Sequence, residues 1–319
     1  MNPKAHLFTS AARALTVICL WAAATIAVAQ EVVADLNPHW APGSKVNYLL
    51  TKTGTKRGVT VTTRTNVLLR VSEATEEGNL LLATFGETRF DDPQIQSDRL
   101  VRELGSILQG VDIELVIDRN GAVQRVRNWE EVKSRLSKAI RAMVARLQQD
   151  GAPKAVTSQV EAQVTQAFST EPSIRSAVMR ELQLLFVTLG HSYSSTEPFE
   201  YQTELPLLMG NGNVQAKGKF ELTALDAKGL ATIRWTQAAD PLSLAKETAK
   251  AVAQMGGSET GRMAEPTAMT LTDTGEFVVD TRSGWPVTLT HTRKVESGST
   301  TKTDTTSLSL IHISEPTRP

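Results

Sequence analysis

The sequence has almost no cysteine. Its 319 residues include one, Cys19, and seven methionines. Cys19 lies in an N-terminal segment that we expect to be removed, so the remaining chain has no cysteine at all. This absence excludes disulfides, thiolate nucleophiles and zinc or iron–sulfur sites with cysteine ligands from that part of the chain.

Long apolar runs are also lacking after the N-terminus. At the N-terminus itself, basic residues precede an uncharged, mostly apolar run at residues 14–26, and the small residues Ala27 and Ala29 come before Gln30. An uncleaved membrane anchor is the alternative, but this run is shorter than the roughly 20 residues that span a bilayer. The pattern predicts a signal peptide at residues 1–29, cleaved before Gln30, and no stable membrane span afterwards.

Neither sign of charge is in excess, since 34 basic and 34 acidic residues balance. Without the leader and the last twelve residues, which lose three basic residues and one acidic residue, 31 basic and 33 acidic residues remain. A nucleic-acid partner is therefore not expected. A signal peptide without a disulfide pair favours a bacterial periplasmic or secreted protein.

Aromatic residues make up only 5% of the chain, so we expect a mainly aliphatic core. Hydrophobic periodicity divides the chain into a strand-rich half at about residues 40–127, a helical block at 128–190 and a second strand-rich half at 197–307. The helical block should begin with Asn128 as an N-cap, and Pro172 should open a helix that extends to Leu189.

The two strand-rich halves share an order of features. ELVID at residues 114–118 precedes a turn ending at Gly121, and EFVVD at residues 276–280 precedes a turn ending at Gly284. Each half also begins with a proline that leads into a tyrosine-bearing strand, followed by a hairpin and a proline-initiated helix. Chance similarity of amphipathic strands is the alternative; five elements in one order favour an internal duplication.

These patterns predict an α+β fold in one domain, residues 30–307. In it, duplicated antiparallel sheets form a curved sheet or open barrel packed on central helices. This outline resembles the half-barrel of periplasmic lipoprotein carriers, whose concave face shelters an acyl chain. The resemblance is architectural, because no carrier motif matches residue by residue.

Several motifs resemble a bacterial family of exported β-rich proteins that carries a domain of unknown function. They are W-x-P-G-x-x-x-x-Y beginning at Trp40, D-x-x-G at Asp118 with N-W-E-E-V from Asn128, and D-x-x-x-G-W-P at Asp280. The resemblance covers most of residues 34–307. It implies an exported β-rich protein and no particular activity.

Candidate catalytic residues do not form a recognisable constellation, so catalytic residues stay unassigned and no cofactor or metal is expected. His39, His191 and His291 lack metal-ligand spacing, and we expect them to be exposed or capping residues. Asp118 and Asp280 could act as a carboxylate pair, but the Asp-to-Gly spacing favours turns in which each aspartate accepts backbone hydrogen bonds. Two tryptophans beside these hairpins, Trp129 and Trp285, are expected to be packing anchors.

Other polar stretches also favour structure over chemistry. GNGN at residues 210–213 lies between predicted strands and should form a hairpin loop, not a phosphate-binding loop. The serines that follow His191 have no identifiable base, and no G-x-S-x-G motif occurs.

Three classes of function remain. The first is a non-enzymatic protein that binds an apolar ligand, a lipid or an envelope component in the concavity of its sheet. The second is a hydrolase that uses carboxylates or serine, and the third is a structural partner in an envelope complex. The sequence leaves the oligomeric state open.

The last twelve residues, LSLIHISEPTRP at 308–319, differ from the threonine-rich pattern before them. They look like the in-frame translation of a transposase adapter used to prepare sequencing libraries. We therefore expect a non-native tail, a native chain that continues beyond Ser307, and either an open sheet edge there or a strand formed by the tail. On this interpretation His312, Glu315 and Arg318 belong to no site.

Overall fold

Threonine- and valine-rich runs with alternating burial form long strands in the computed structural model, which describes residues 31–98, 101–102, 105–206, 213–254, 269–298 and 300–314. The strands are β1 (Val33–Leu36), β2 (Lys45–Lys56), β3 (Val59–Thr75), β4 (Gly78–Phe90), β5 (Asp112–Asp118), β6 (Val123–Val126), β7 (His191–Ser194), β8 (Phe199–Pro206), β9 (Asn213–Leu225), β10 (Leu230–Ala239), β11 (Met269–Asp280), β12 (Pro286–Ser297) and β13 (Thr300–Ser314). The helices are α1 (Pro93–Ser97), α2 (Trp129–Gln149), α3 (Lys154–Ala167), α4 (Glu171–Val178), the 3-10 helix η1 (Leu182–Leu185) and α5 (Pro241–Gln254).

Eleven strands form one antiparallel sheet in the order β6-β5-β4-β3-β2-β13-β12-β11-β10-β9-β8. The predicted large antiparallel sheet is present, and its two halves are joined because β13 pairs with β12 on one side and with β2 on the other. The sheet ends at β6 and β8, so it does not close into a barrel. A separate ribbon pairs β1 with β7.

Each half of the sheet is a series of neighbours in chain order, β2 to β6 and β8 to β12. The ELVID segment lies in β5 and the EFVVD segment in β11. Each of these strands pairs with a hairpin strand that precedes it, β4 and β10 respectively. The duplication itself stays a prediction.

Helices of the helical block pack mainly at one end of the sheet, the end formed by β5 and β6. The buried stripe of α2, which includes Leu136, Ile140 and Val144, belongs to the same hydrophobic core as the strands. The main sheet contacts of α2 and α4 are with β5 and β6. The prediction that the central helices support the whole sheet is not confirmed.

Two helical predictions need correction. Helix α2 begins at Trp129, but Asn128 does not cap it: its Oδ1 accepts from the amide of Glu114 at 2.9 Å and its Nδ2 donates to the carbonyl of Asp112 at 2.8 Å, which ties the helix start to β5. The helix predicted from Pro172 to Leu189 ends at Val178. Beyond it, η1 turns three leucines into the core instead of continuing the helix.

Strand β13 crosses the boundary at Ser307. Leu308 is 1% exposed and lies opposite Leu50 of β2 and Leu289 of β12, whereas Ile311 is 56% exposed. The segment 308–314 thus forms a strand in the middle of the sheet rather than at an edge. Within the described ranges, no helix has the length and apolarity needed to cross a membrane.

Candidate functional site

Strand register places three rows of side chains on the inner face of the sheet. Residues that pair across neighbouring strands share a face, and alternate residues along a strand share it too. The apolar row is Leu50, Leu308, Leu289, Phe277, Ile233 and Leu222. The aromatic row is Lys52, Thr306, His291, Gly275, Trp235, Phe220 and Phe199, and the polar row is Gly54, Asp304, Arg293, Asp273, Gln237, Gly218 and Tyr201.

The cover segment, residues 180–190, lies over this face. It contains η1, which contacts β12, and its residues Leu184, Phe186 and Leu189 are buried. Glu181 forms an ion pair with Lys52 of β2, and the amide of Gly190 donates to the carbonyl of Leu36 at 2.7 Å. An ion pair therefore connects the cover segment to the sheet, and a backbone hydrogen bond connects it to β1.

A cavity of about 1170 Å³ lies between the cover segment and the aromatic and polar rows. Its lining includes Val61 of β3 and Tyr201 of β8, which are seven strand positions apart in the sheet. Seven spacings in a flat sheet would span about 34 Å. Because one cavity touches both strands, the sheet must curve around it.

Stacked rings line one wall of this cavity. Tyr201 and Phe220 have ring centroids 5.4 Å apart, Phe220 and Trp235 are 5.9 Å apart, and Trp235 and His291 are 5.3 Å apart. These rings come from β8, β9, β10 and β12 and lie nearly parallel. They give the cavity a continuous aromatic wall that crosses the strands.

A buried carboxylate organises the polar row. The Asp273 side chain is 0% exposed, and it accepts hydrogen bonds from Arg293 Nε at 2.8 Å and Nη2 at 2.9 Å. Gln237 Nε2 donates to it at 3.1 Å, and His291 Nε2 lies 2.9 Å from its Oδ1. Burial alone would raise the pKa of Asp273, but the hydrogen bonds from His291 and Arg293 and the guanidinium charge lower it to about 2. Asp273 is therefore ionised at neutral pH.

Gln237 connects this carboxylate to the aromatic wall. Trp235 Nε1 donates to the Tyr201 hydroxyl at 2.6 Å, and that hydroxyl donates to Gln237 Oε1 at 2.8 Å. The Tyr201 ring lies over Gly218, where a Cβ atom would be 2.5 Å from the tyrosine Cζ. Gly218 is thus needed for the close approach of Tyr201 to β9. Burial raises the pKa of Tyr201 and keeps it neutral.

Four cations line the cavity, and three of them have carboxylate partners. Lys52 pairs with Glu181, Lys302 pairs with Asp304 at 2.6 Å, and Arg293 pairs with Asp273. The fourth, Arg180, has no ion-pair partner in the part of the chain that the structure describes. The cavity is therefore apolar along its aromatic wall and charged along its rim.

The predicted turn residues lie at two separate turns. Asp118 Oδ1 accepts from the amides of Asn120 and Ala122 at 2.9 Å each, and Gly121 has a φ of 89°. Asp280 Oδ1 accepts from the amide of Arg282 at 3.2 Å. Gly284 has a φ of 74°, and a Cβ atom there would be 2.5 Å from the carbonyl oxygen of Asn37. The side chains of Asp118 and Asp280 each bind residues of their own turn or hairpin and not one another, and of the two only Asp118 is among the residues that line the cavity.

The three histidines differ in environment. His39 and His191 are exposed as expected, with the His191 ring 4.5 Å from Phe199. The expectation that His291 is exposed or a cap is wrong, because its side chain is 11% exposed and contacts Asp273. The three are not brought together. The described residues contain no cluster of three or more histidine, cysteine, aspartate or glutamate side chains suited to a metal.

Both of the expected tryptophan anchors pack against the hydrophobic core. Trp285 is 3% exposed and stacks on Trp40 with ring centroids 4.3 Å apart. Trp129 is half-buried, with Lys133 Nζ 5.7 Å from its ring centroid. The signal-peptide residues Ala27, Ala29 and Gln30 and most of GNGN lie outside the described residues.

Sequence reasoning missed Asp273, Gln237, Arg293 and Tyr201. Each lies on a strand whose polar residue could face either side of the sheet. One signal could have found them. Alternate residues of a strand face the same side, so Arg293, which follows His291 by two residues and Leu289 by four, should share the inner face with the buried Leu289. Only the pairing of the five strands from β8 to β12 brings them together.

Comparisons with known proteins show no family. No protein-family model matches the chain, and no curated protein matches it. A solved structure titled for lipid–protein interactions in lipovitellin aligns with a TM-score of 0.42 and 8% sequence identity. The alignment covers 88% of this chain and 26% of that one, so this chain spans about a quarter of the lipovitellin chain. A likeness of this size carries no argument about function.

Proposed function

We propose that the protein is a non-enzymatic binder of an apolar or amphipathic ligand, or of the apolar part of an envelope component, in the cavity between the cover segment and the sheet. The observation that carries the proposal is the cavity of about 1170 Å³ with its aromatic wall. Ligand sites in proteins are typically concave, largely apolar and about 300–1,000 Å³ in volume. This cavity is somewhat larger than that range, which suits a long ligand.

The wall offers apolar contact across many strands. The rings of the wall extend over five neighbouring strands from β12 to β8, a distance of about 19 Å along the sheet at the usual strand spacing. An acyl chain that lies along it would lose its contact with water, and each buried methylene contributes about 0.8 kcal/mol. Even a partly seated chain could therefore offset the cost of association.

Hydrolysis by carboxylates or serine is less well supported. Asp273 is ionised and hydrogen-bonded by three neighbouring side chains, so it holds no proton to donate at neutral pH. The Ser192 hydroxyl donates to Asp35 instead of to a histidine. The lining carboxylates Glu181 and Asp304 are likewise paired, with Lys52 and Lys302 respectively.

A purely structural role in an envelope complex should require a contiguous apolar surface. The large exposed apolar side chains of the described sheet are few: Val59 and Leu68 lie nine residues apart on β3, and Ile311 lies on β13. We therefore favour the cavity as the site of action. Export to a bacterial periplasm, or secretion, is part of this proposal and depends on the signal peptide at residues 1–29.

The test uses protein expressed from Gln30 and purified without detergent. We expect mass spectrometry of its organic extract to contain a co-purifying lipid, and the stripped protein to bind the neutral fluorescent probe N-phenyl-1-naphthylamine. Val187→Trp places a large side chain at the cavity lining and should weaken probe binding about tenfold or more. Arg234→Trp is the control, since Arg234 is exposed on β10 between inner-face residues.

Two results would count against binding in this cavity. One is a lipid-free extract together with no probe fluorescence. The other is an equal response of both tryptophan variants, which would locate the probe elsewhere on the protein.

A further inference from the structure

Arg293 has unused hydrogen-bond donors on the cavity wall. Its guanidinium carries five N–H groups, of which Asp273 accepts one from Nε and one from Nη2. Nη1 has no hydrogen-bond partner among the described residues. The side chain lines the cavity and is 28% exposed, whereas Asp273 behind it is fully buried.

Asp273 also fixes the orientation of this guanidinium. The two parallel N–H···O bonds hold the planar group against β11, next to the His291 ring in the aromatic row. An arginine fixed in this way loses little side-chain entropy when a further acceptor binds. The free donors are therefore preorganised beside the aromatic wall.

The other charged groups near Arg293 leave its Nη1 available. Asp304 is its cross-strand neighbour on β13, but the Asp304 carboxylate pairs with Lys302. Glu204 lines the edge of the cavity, and its carboxylate accepts from Asn213 and Gln215. Lys52 and Arg180 add positive charge to the same lining.

We propose that Arg293 binds the oxyanion head group of a single-chain amphiphile whose apolar chain lies along the aromatic row. The head group is a carboxylate or a phosphate monoester, because both present oxygens that match a guanidinium. Asp273 acts as a positioning residue for Arg293. This inference rests on the proposed function and adds the chemical class of the ligand.

The experiment compares three ligands with the same chain at about pH 8, where a carboxylate is ionised. Hexadecanoate, hexadecyl phosphate and hexadecanol compete with N-phenyl-1-naphthylamine for stripped protein expressed from Gln30. We expect the two anionic ligands to bind about tenfold or more tightly than the alcohol, since both can accept two hydrogen bonds from the guanidinium and carry the opposite charge, whereas the alcohol offers one uncharged oxygen. Acetate and inorganic phosphate, which lack the chain, should not displace the probe.

The variants separate the head-group contact from folding. Arg293→Gln should weaken anion binding much more than hexadecanol binding and so remove most of the preference for the anions, while Arg293→Lys should retain part of the preference. Because Arg293→Gln leaves a buried carboxylate with fewer partners, Asp273→Asn combined with Arg293→Gln provides a variant without the buried charge. Arg234→Gln, on the opposite face of β10, is the matched control and should behave as wild type.

The outcomes are distinguishable. Equal affinity for alcohol and anions in the wild type, or an anion preference that survives in Arg293→Gln and in the double variant, would overturn the head-group assignment and leave the proposed function standing. Displacement by inorganic phosphate alone would assign Arg293 to a free anion and overturn the amphiphile. Failure of all three sixteen-carbon ligands to displace the probe would contradict the proposed function itself.

Discussion

Replacing Asp273 with asparagine should lower the free energy of unfolding by about 3 kcal/mol at neutral pH. Asp273 is fully buried and accepts from Arg293 twice and from Gln237 once. Asparagine retains one acceptor oxygen and turns the other position into a donor that faces donors. Removing one partner of a buried ion pair typically costs about 3–5 kcal/mol, and the 28% exposure of Arg293 puts this pair at the lower end.

The assay is urea unfolding followed by tryptophan fluorescence, supported by thermal unfolding. In a domain of this size, 3 kcal/mol corresponds to a fall in Tm of about 6–12 °C. The control is Asp304→Asn in the same row. Asp304 is 41% exposed and pairs with a lysine that is 42% exposed, so its loss should cost less than about 1 kcal/mol. If the two variants lose the same stability, the carboxylate of Asp273 is not enclosed as the structure shows.

Three further perturbations test the same architecture. The pKa of Asp273 is lowered from 3.8 to about 2, so ionised Asp273 contributes about 2 kcal/mol to the free energy of unfolding. This contribution is present above pH 4 and is lost as the pH falls through 2. Urea titrations at several pH values should show the loss in wild type and not in Asp273→Asn. Gly218→Ala should displace Tyr201, lower the free energy of unfolding by about 1–3 kcal/mol and weaken probe binding. Gly54→Ala is the control: its Cβ would meet only a carboxylate oxygen at 3.2 Å, so it should lower the free energy of unfolding by less. Leu308→Ala should cost about 2–5 kcal/mol if residues 308–314 pack as a strand, and a cost below about 1 kcal/mol by thermal unfolding would instead match a foreign tail that does not fold with the protein.

Local patterns predicted the elements better than their assembly. The alternating residues of β2 and β3 indicated strands, and the 3.6-residue stripe that includes Leu136 and Ile140 indicated α2, because periodicity records which face of an element is buried. Periodicity does not record which strands pair. The strand that joins the two halves was not predicted for this reason, since β13 pairs with β2 more than 240 residues earlier in the chain.

Asn128 and His291 show how tertiary contacts override local preference. Asparagine before a helix favours an N-cap, but Asn128 instead accepts from and donates to the backbone of β5, which lies beside the helix start. A histidine on a threonine-rich strand is expected to be exposed, but the register of β11 with β12 puts His291 beside Asp273.

The sequence by itself determined that no cysteine follows Cys19, that the charges balance, and where most strands and helices lie. These depend on composition and on contacts within a few residues. The tertiary structure decided that the halves form one curved sheet and that the aromatic and polar rows border a cavity under the cover segment. Both follow from the register of paired strands, because only the register across β8 to β12 brings Arg293, Asp273, Gln237 and Tyr201 onto one line.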